Sequence, residues 1–144
     1  MLVSKAIRTA YYSALSGNVT HNANIVPVYD VYAVPENVDM PYILLSTQLA
    51  VQFVIKRCKR YDTSLLVDVV TGSKDPKGRG DAEDIAEQVN NIINPDTFID
   101  LDLSAYGYQL GNTRLENDTD ISSKNNNGYV FRKLLRYSHL IIKN

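Results

Sequence analysis

The sequence predicts an α+β domain in which a mainly antiparallel sheet packs against two helices, with a long hairpin near the C-terminus. Two segments have the apolar spacing of helices, and several segments rich in β-branched residues alternate with a period of two. Their order is helix, strands, helix and hairpin, which is not the regular alternation of parallel α/β folds. With 144 residues, 44% of them hydrophobic, the chain is predicted to be one domain, 1–144.

The first helix and its connection to the sheet follow from spacing and composition. The helix ends near Gly17, and its apolar face carries Val3, Ile7, Ala10, Tyr11 and Ala14. Residues 19–24 are polar and predict a loop, and residues 26–29 predict a short strand whose Pro27 suits a sheet edge. Residues 35–41, between two prolines, predict a turn-rich connector.

Two long segments predict the centre of the sheet. Residues 42–55 are apolar and β-branched, which predicts one long strand or two strand segments. Residues 64–71 form the clearest strand, because Leu65, Val67 and Val69 share a face that Asp68 does not. A second helix follows a glycine-rich loop: we expect Asp81 to cap it, Glu83 and Asp84 to lie in its first turn, and Pro95 to end it. Its apolar face is predicted to carry Ile85, Val89, Ile92 and Ile93.

The last third predicts a hairpin. Residues 98–110 alternate, which predicts a strand through Ile99, Leu101, Leu103, Tyr106, Tyr108 and Leu110. Residues 116–128 are polar and end in Asn-Asn-Asn-Gly, which predicts the hairpin tip. Residues 129–142 then form its second strand, with Arg132 and Arg136 opposite an apolar face made by Tyr129, Phe131, Leu135, Tyr137 and Ile141.

Composition excludes several classes of function. The formal net charge of -1 gives no field that would hold a polyanion in bulk. Cys58 is the only cysteine, so no intrachain disulfide and no multi-cysteine zinc site can form. No signal peptide or membrane-spanning run of about 18–20 apolar residues is found, so we expect synthesis in the cytosol and no membrane contact.

No catalytic machinery is predicted, and neither a cofactor nor a metal. His21 and His139 are the only histidines, and packing or surface roles are the default for both. The loop 72–80 lies where phosphate-binding loops occur, but it lacks the Gly-Lys-Ser/Thr ending and leads into acids that repel phosphate. A small enzyme is one rival hypothesis; it requires a cleft that gathers several of Asp68, Asp81, Asp84 and Asp100.

Two polar segments are candidate contact surfaces. Lys56, Arg57, Lys59 and Arg60 form the densest charge cluster, between Phe53 and Tyr61, and we interpret it as a solvated loop or a subunit interface. The hairpin tip supplies the second candidate, with Asn117, Asp118, Asp120 and Asn126. Ten tyrosines against three phenylalanines also favour an assembling surface. The second rival is a small DNA-binding module that uses the basic cluster.

Five parts of the chain together resemble a known family. They are the helix ending Leu15-Ser16-Gly17, the Val34-Pro35-Glu36-Asn37 to Pro41-Tyr42-Ile43 entry into a strand, the strand 61–70, a Gly-Arg-Gly loop leading into residues 81–89, and the strand segment 132–137. In this order they resemble the bacteriophage tail-completion, tail-terminator or tail-to-head joining proteins. The chain departs from the family pattern at residues 49–60, which are apolar and then basic where the family has a polar loop.

The resemblance implies a structural virion protein at the phage neck that joins or caps the tail and head assemblies. It implies a closed ring of copies, six- or twelve-fold, in contact with neck or tail proteins such as portal, adaptor or tail tube. DNA would pass through the lumen without sequence-specific binding, and the ring would assemble in the host cytoplasm. We expect residues 49–61 and 116–128 to be contact arms, partly disordered in the monomer and ordered on assembly.

Overall fold

A computed structural model describes residues 1–30, 39–75, 78–96 and 101–144. A five-stranded sheet carries both helices on one face, and its strands are antiparallel except for one short parallel pair. This arrangement confirms the predicted fold. The described elements, in chain order, are α1 (Val3–Leu15), β1 (Thr20–His21), β2 (Asn24–Ile25), β3 (Val28–Tyr29), β4 (Tyr42–Ile55), β5 (Cys58–Ser73), α2 (Arg79–Ile93), a short 3₁₀ helix (Ser104–Tyr106), β6 (Tyr108–Asn125) and β7 (Gly128–Lys143).

Both helices bury the faces that the spacing predicts, but the start of α2 differs from the expectation. Asp81 is the acid of its first turn, and Glu83 and Asp84 lie beyond that turn. Helix α1 ends where Gly17 takes a left-handed φ of 80°. Helix α2 begins at Arg79 with Gly78 as its N-cap. Asp81 is therefore not the cap: its N–H donates to the carbonyl oxygen of Gly78, inside the first turn, where its charge still favours the helix dipole.

The sheet order is β3-β4-β5-β7-β6, so β4 and β6 lie towards its two sides. Two long hairpins, β4–β5 and β6–β7, point in opposite directions along the strands, because Arg60 pairs with Ile142 while Ser73 pairs with Tyr129. Lys56 and Arg57 turn the first hairpin with φ values of 47° and 69°. Two successive positive φ values are the mark of a type I′ turn, whose twist matches that of the flanking strands.

Gly128 begins β7 in a backbone conformation that requires glycine. Its φ is 130°, and a Cβ there would lie 2.6 Å from the carbonyl oxygen of Ser73. The tip of the second hairpin is thereby held close to the end of β5.

The core lies between the helices and one face of the sheet. On β5, Leu65, Val67 and Val69 point into it, as predicted. On β7 the core residues are Leu135, Tyr137 and Ile141, while Arg132 and Arg136 lie on the other face. No helix among the described residues covers that other face, which is called the free face below.

Three local expectations are corrected. Residues 19–24 are not a loop throughout, because Asn22 and Ala23 turn at positive φ and bring β1 against β2. The strand predicted to begin near residue 98 begins at Tyr108, since the 3₁₀ helix occupies 104–106. Residues 49–61 and 116–128 are paired strands and turns in the single chain, so they are not disordered arms. The connector 31–38, residues 76–77 and residues 97–100 lie outside the described part of the chain.

Candidate assembly interface

Strand β4 is an open edge of the sheet over most of its length. Strand β3 pairs only with Ile43 and Leu44, and no other described strand pairs with the outer side of β4. Beyond these residues the strand bulges between Leu45 and Gln48. Arg8 of α1 donates to the carbonyl oxygens of Leu45 and Ser46, at 2.7 and 2.9 Å, which satisfies the backbone at the bulge. From residue 48 to residue 55 the pairing with β5 is then regular.

This open strand carries no charged residue between 42 and 55. Its free face exposes an apolar row in which Leu49 is 62% exposed, Val51 51%, Phe53 37% and Ile55 45%. Edge strands of single proteins are normally blunted by lysine, proline or bulges, because open backbone groups pair with other chains. An uncharged, apolar edge is therefore a surface that another chain can cover.

A shallow groove of about 550 Å³ crosses the free face beside this row. Phe53 lies at one side of it and Arg114 at the other, with Asp62, Ser138 and Leu140 between them. The groove is open to solvent and mixes apolar and charged groups, which is typical of a protein contact surface.

The basic cluster divides between a turn and the two faces of the sheet. Lys56 and Arg57 form the turn, whereas Lys59 and Arg60 belong to β5 and point to opposite faces. The interpretation of the whole cluster as a loop is therefore wrong. The Nε of Arg60 is buried and has no hydrogen-bond partner within the described residues.

The opposite edge of the sheet, β6, is held by an ion cluster around Lys133. The Nζ of this buried lysine lies 2.8 Å from Asp118, 3.3 Å from Asp120 and 3.1 Å from Glu83 of α2. Burial disfavours the charge of Lys133, but the hydrogen bonds that its ammonium donates to the carboxylates of Asp118 and Glu83 outweigh burial and raise the pKa of the amine. Burial of Asp120 is likewise outweighed by Arg79 and Lys133, which lower the pKa of its carboxyl.

The predicted interface residues fall into two groups at opposite sides of the sheet. Phe53, the four cations and Tyr61 lie around the β4–β5 tip, where the Tyr61 ring packs edge-on against Tyr108. The second group, on β6 and in its turn, is Asn117, Asp118, Asp120 and Asn126. Asp118 and Asp120 already bind Lys133 in the same chain. The sequence signal for that cluster was the position of Lys133 between Phe131 and Leu135 on the core-facing side of β7.

His139 is a packing residue of the core, in agreement with its default interpretation. Its Nε2 contacts the hydroxyl of buried Tyr11, and its Nδ1 lies 3.0 Å from Thr113 Oγ1. Burial lowers the pKa of His139 to about 4, against a hydrogen bond to the Asn112 backbone that raises it. Burial also raises the pKa of the Tyr11 hydroxyl. Within the described ranges no carboxylate hydrogen-bonds to either group, so no catalytic triad is formed among those residues.

The candidate acids do not gather in one cleft. Asp68 is 2% exposed on the free face, where Arg132 pairs with it, whereas Asp81 and Asp84 belong to α2 on the other side of the sheet. Asp100 lies outside the described residues. In the described ranges no group of three His, Cys, Asp or Glu residues is arranged to hold a metal ion. His21 lies 3.8 Å from Asp81 and is half-buried.

Across the described ranges, none of the helices has the length and apolar character that a bilayer crossing demands.

Comparison with solved structures finds chains of similar fold, and one of them comes from a virion. No protein-family model matches the chain, and no curated protein matches it. The structure matches a chain of the "Virion of native gene transfer agent (GTA) particle" with a TM-score of 0.69 and 17% sequence identity, over 97% of each chain. The two chains therefore share one fold over almost their whole lengths.

Proposed function

We propose that the protein is a structural component of a phage-like particle and not an enzyme. The fold it shares with a chain of a gene transfer agent virion, over 97% of both chains, carries this proposal. The architecture supports it, because the free face offers an exposed apolar row and a broad groove. Large surfaces of this kind serve contacts between proteins.

Within such a particle, the protein forms a closed ring at the neck that joins or caps the tail and the head assembly. A ring of identical subunits requires two different patches on each subunit. The chain offers two dissimilar sheet edges, the uncharged β4 and the charged β6, on opposite sides of one sheet. Six or twelve copies would close the ring, with portal, adaptor or tail-tube proteins as axial neighbours and DNA passing through the lumen.

Light scattering across a concentration range, followed by electron microscopy of the same fractions, tests the proposal. We expect a discrete oligomer with a central hole, in solution or after addition of purified tail tube or portal. A strict monomer under all of these conditions would refute the ring. An open, unlimited polymer would also refute it, since a neck ring must close.

A small DNA-binding module is the second candidate, because four cations lie within five residues at an exposed hairpin end. Titration of duplex DNA at low and high salt tests it, with Lys56→Glu/Arg57→Glu as the variant. Salt-dependent binding that this variant loses would favour the DNA-binding function. Arg114→Glu, on another part of the exposed surface, is the matched control for a general effect of charge.

A further inference from the structure

We infer that the outer edge of β4 in one subunit pairs with the outer edge of β6 in a second copy, so that the sheet continues from subunit to subunit. This inference rests on the proposed ring and specifies its interface. Strand directions alternate through β4, β5, β7 and β6, so β4 and β6 run in opposite directions. A neighbour placed beside β4 in the same orientation therefore presents its β6 as an antiparallel partner.

The two edges have matching straight segments. Strand β4 is regular from residue 48 to residue 55, after its bulge. Strand β6 is irregular at residues 111 and 116 and regular from residue 117 to residue 125. Joining these segments offsets neighbouring sheets along the strands, and a closed cylinder of strands requires such a stagger.

Hydrogen-bonding groups of β4 point outwards at alternate residues. The two-residue turn makes Ile55 and Cys58 a hydrogen-bonded pair, and such pairs alternate with non-hydrogen-bonded ones along a hairpin. The N–H groups of Ala50, Gln52 and Val54 therefore face the open edge. Antiparallel strand addition uses donors of this kind.

Side chains select one register. If residue 55 lies opposite residue 117, Val51 lies opposite Ile121, which is 48% exposed and on the same free face. Both are exposed apolar residues in the single chain, and the pairing covers both. The basic turn, Lys56 and Arg57, then lies beside Glu116 of the second copy, so opposite charges meet at the end of the junction.

Pairing of β4 with β4 of another copy is the alternative occupant. It would give a dimer and leave both β6 edges open, whereas in a closed ring the β4–β6 junction covers the regular segment of each edge, 48–55 and 117–125, in every subunit. We therefore assign the second copy's β6 as the occupant.

Disulfide trapping tests the register directly in the full-length chain with Cys58→Ser. In the proposed register residues 51 and 121 form a non-hydrogen-bonded pair with a Cα separation of about 4.5 Å, which a disulfide can bridge. Val51→Cys mixed with Ile121→Cys should give a covalent dimer, and the double variant a ladder of multimers that ends at the ring size. Val54→Cys mixed with Ile121→Cys is the matched control and should not cross-link, because residue 54 lies on the other face.

Proline at the open edge gives a second, independent test. Ala50→Pro removes one outward N–H without breaking the β4–β5 ladder, and it should raise the protein concentration needed for assembly by about tenfold or more. Ala50→Val keeps the N–H and should assemble normally. The circular dichroism spectrum of each variant verifies the fold, and slower hydrogen exchange of the peptide containing residues 50–54 in the ring verifies the contact.

The outcomes separate this inference from the ring itself. A ring that forms without the 51–121 cross-link and tolerates Ala50→Pro would overturn the inference and leave the proposed function standing. Cross-linking of Val51→Cys with itself would also overturn it, in favour of β4–β4 pairing. Absence of any ring under all conditions would overturn both.

Discussion

The stability of this fold should fall as the pH is lowered from 7 to 5, and His139 should cause a measurable part of the loss. The imidazole of His139 is buried between α1, β6 and β7, with Tyr11 and Thr113 as its side-chain partners. Burial lowers the pKa of His139 from 6.5 to about 4. Because the folded-state pKa is the lower one, the unfolded chain binds a proton between these values that the folded chain does not. Stability is therefore complete above pH 6.5 and is lost as the pH falls towards 4.

The size of the effect follows from these two values. A difference of one pKa unit corresponds to about 1.4 kcal/mol, so the full effect of His139 is about 3 kcal/mol. Most of this loss occurs at pH values above the pKa of His139 in the folded chain, where His139 is protonated only in the unfolded chain. Between pH 7 and pH 5 the free energy of unfolding should fall by about 2 kcal/mol through His139 alone.

Urea denaturation followed by far-ultraviolet circular dichroism measures this effect, since the chain has no tryptophan. The comparison is between the wild type, His139→Gln and His21→Gln, each at pH 7 and pH 5. His139→Gln lacks the titrating group, so its loss of stability between the two pH values should be smaller by about 2 kcal/mol. His21→Gln is the control for the loss of a histidine elsewhere in the chain. Equal losses in all three proteins would refute the assignment of the effect to His139.

Three further predictions concern the charges and backbone that hold the sheet edges. Lys133→Ala removes the buried cation that three carboxylates share, and Arg79 remains beside two of them, Glu83 and Asp120. The free energy of unfolding should fall by roughly 2–3 kcal/mol, less than for a fully buried pair because the carboxylates reach water; a urea curve unchanged from wild type contradicts this. Arg132→Ala should cost more than Asp68→Ala/Arg132→Ala, because the single variant leaves a buried charge unpaired; a double-mutant cycle with no coupling would disprove the pairing. Gly128→Ala should destabilise the fold by about 2 kcal/mol or more. Gly80→Ala, whose added Cβ has no atom near it, should be neutral or should stabilise the fold by up to about 1 kcal/mol. Equal melting temperatures of the two variants would be inconsistent with this prediction.

The sequence determined the elements whose signal is local. The structure contains three such elements where the sequence predicts them. They are the apolar faces of α1 and α2, the strand through residues 64–71, and the hairpin turn in Asn125-Asn126-Asn127-Gly128. Local signals also misplaced some boundaries. Asp81 has the side chain of a cap, but Gly78 ends the preceding loop and begins α2 earlier. The alternation near residue 101 is typical of a strand. In the structure Leu101 and Leu103 are buried, but their backbone belongs to no strand.

Contacts between distant residues came only from the tertiary structure. Alternation placed Lys133 on the core side, but no local pattern shows that Asp118, Asp120 and Glu83 converge on it from β6 and α2. The partners of His139 lie 128 and 26 residues away, at Tyr11 and Thr113. Such contacts depend on how elements pack, and spacing along the chain carries no information about that.

By itself the sequence determined an α+β domain, with no net positive charge for bulk DNA binding, and with a basic segment and a polar hairpin tip. Only the tertiary structure decided that the basic segment also lies at a hairpin end, that the two ends lie on opposite sides of one sheet and that β4 is an uncharged open edge. The physical reason is that strand order is set by which faces can be buried together against the helices. An edge exists only once that order is fixed, so the surface that we propose for assembly is a property of the sheet and not of any one strand.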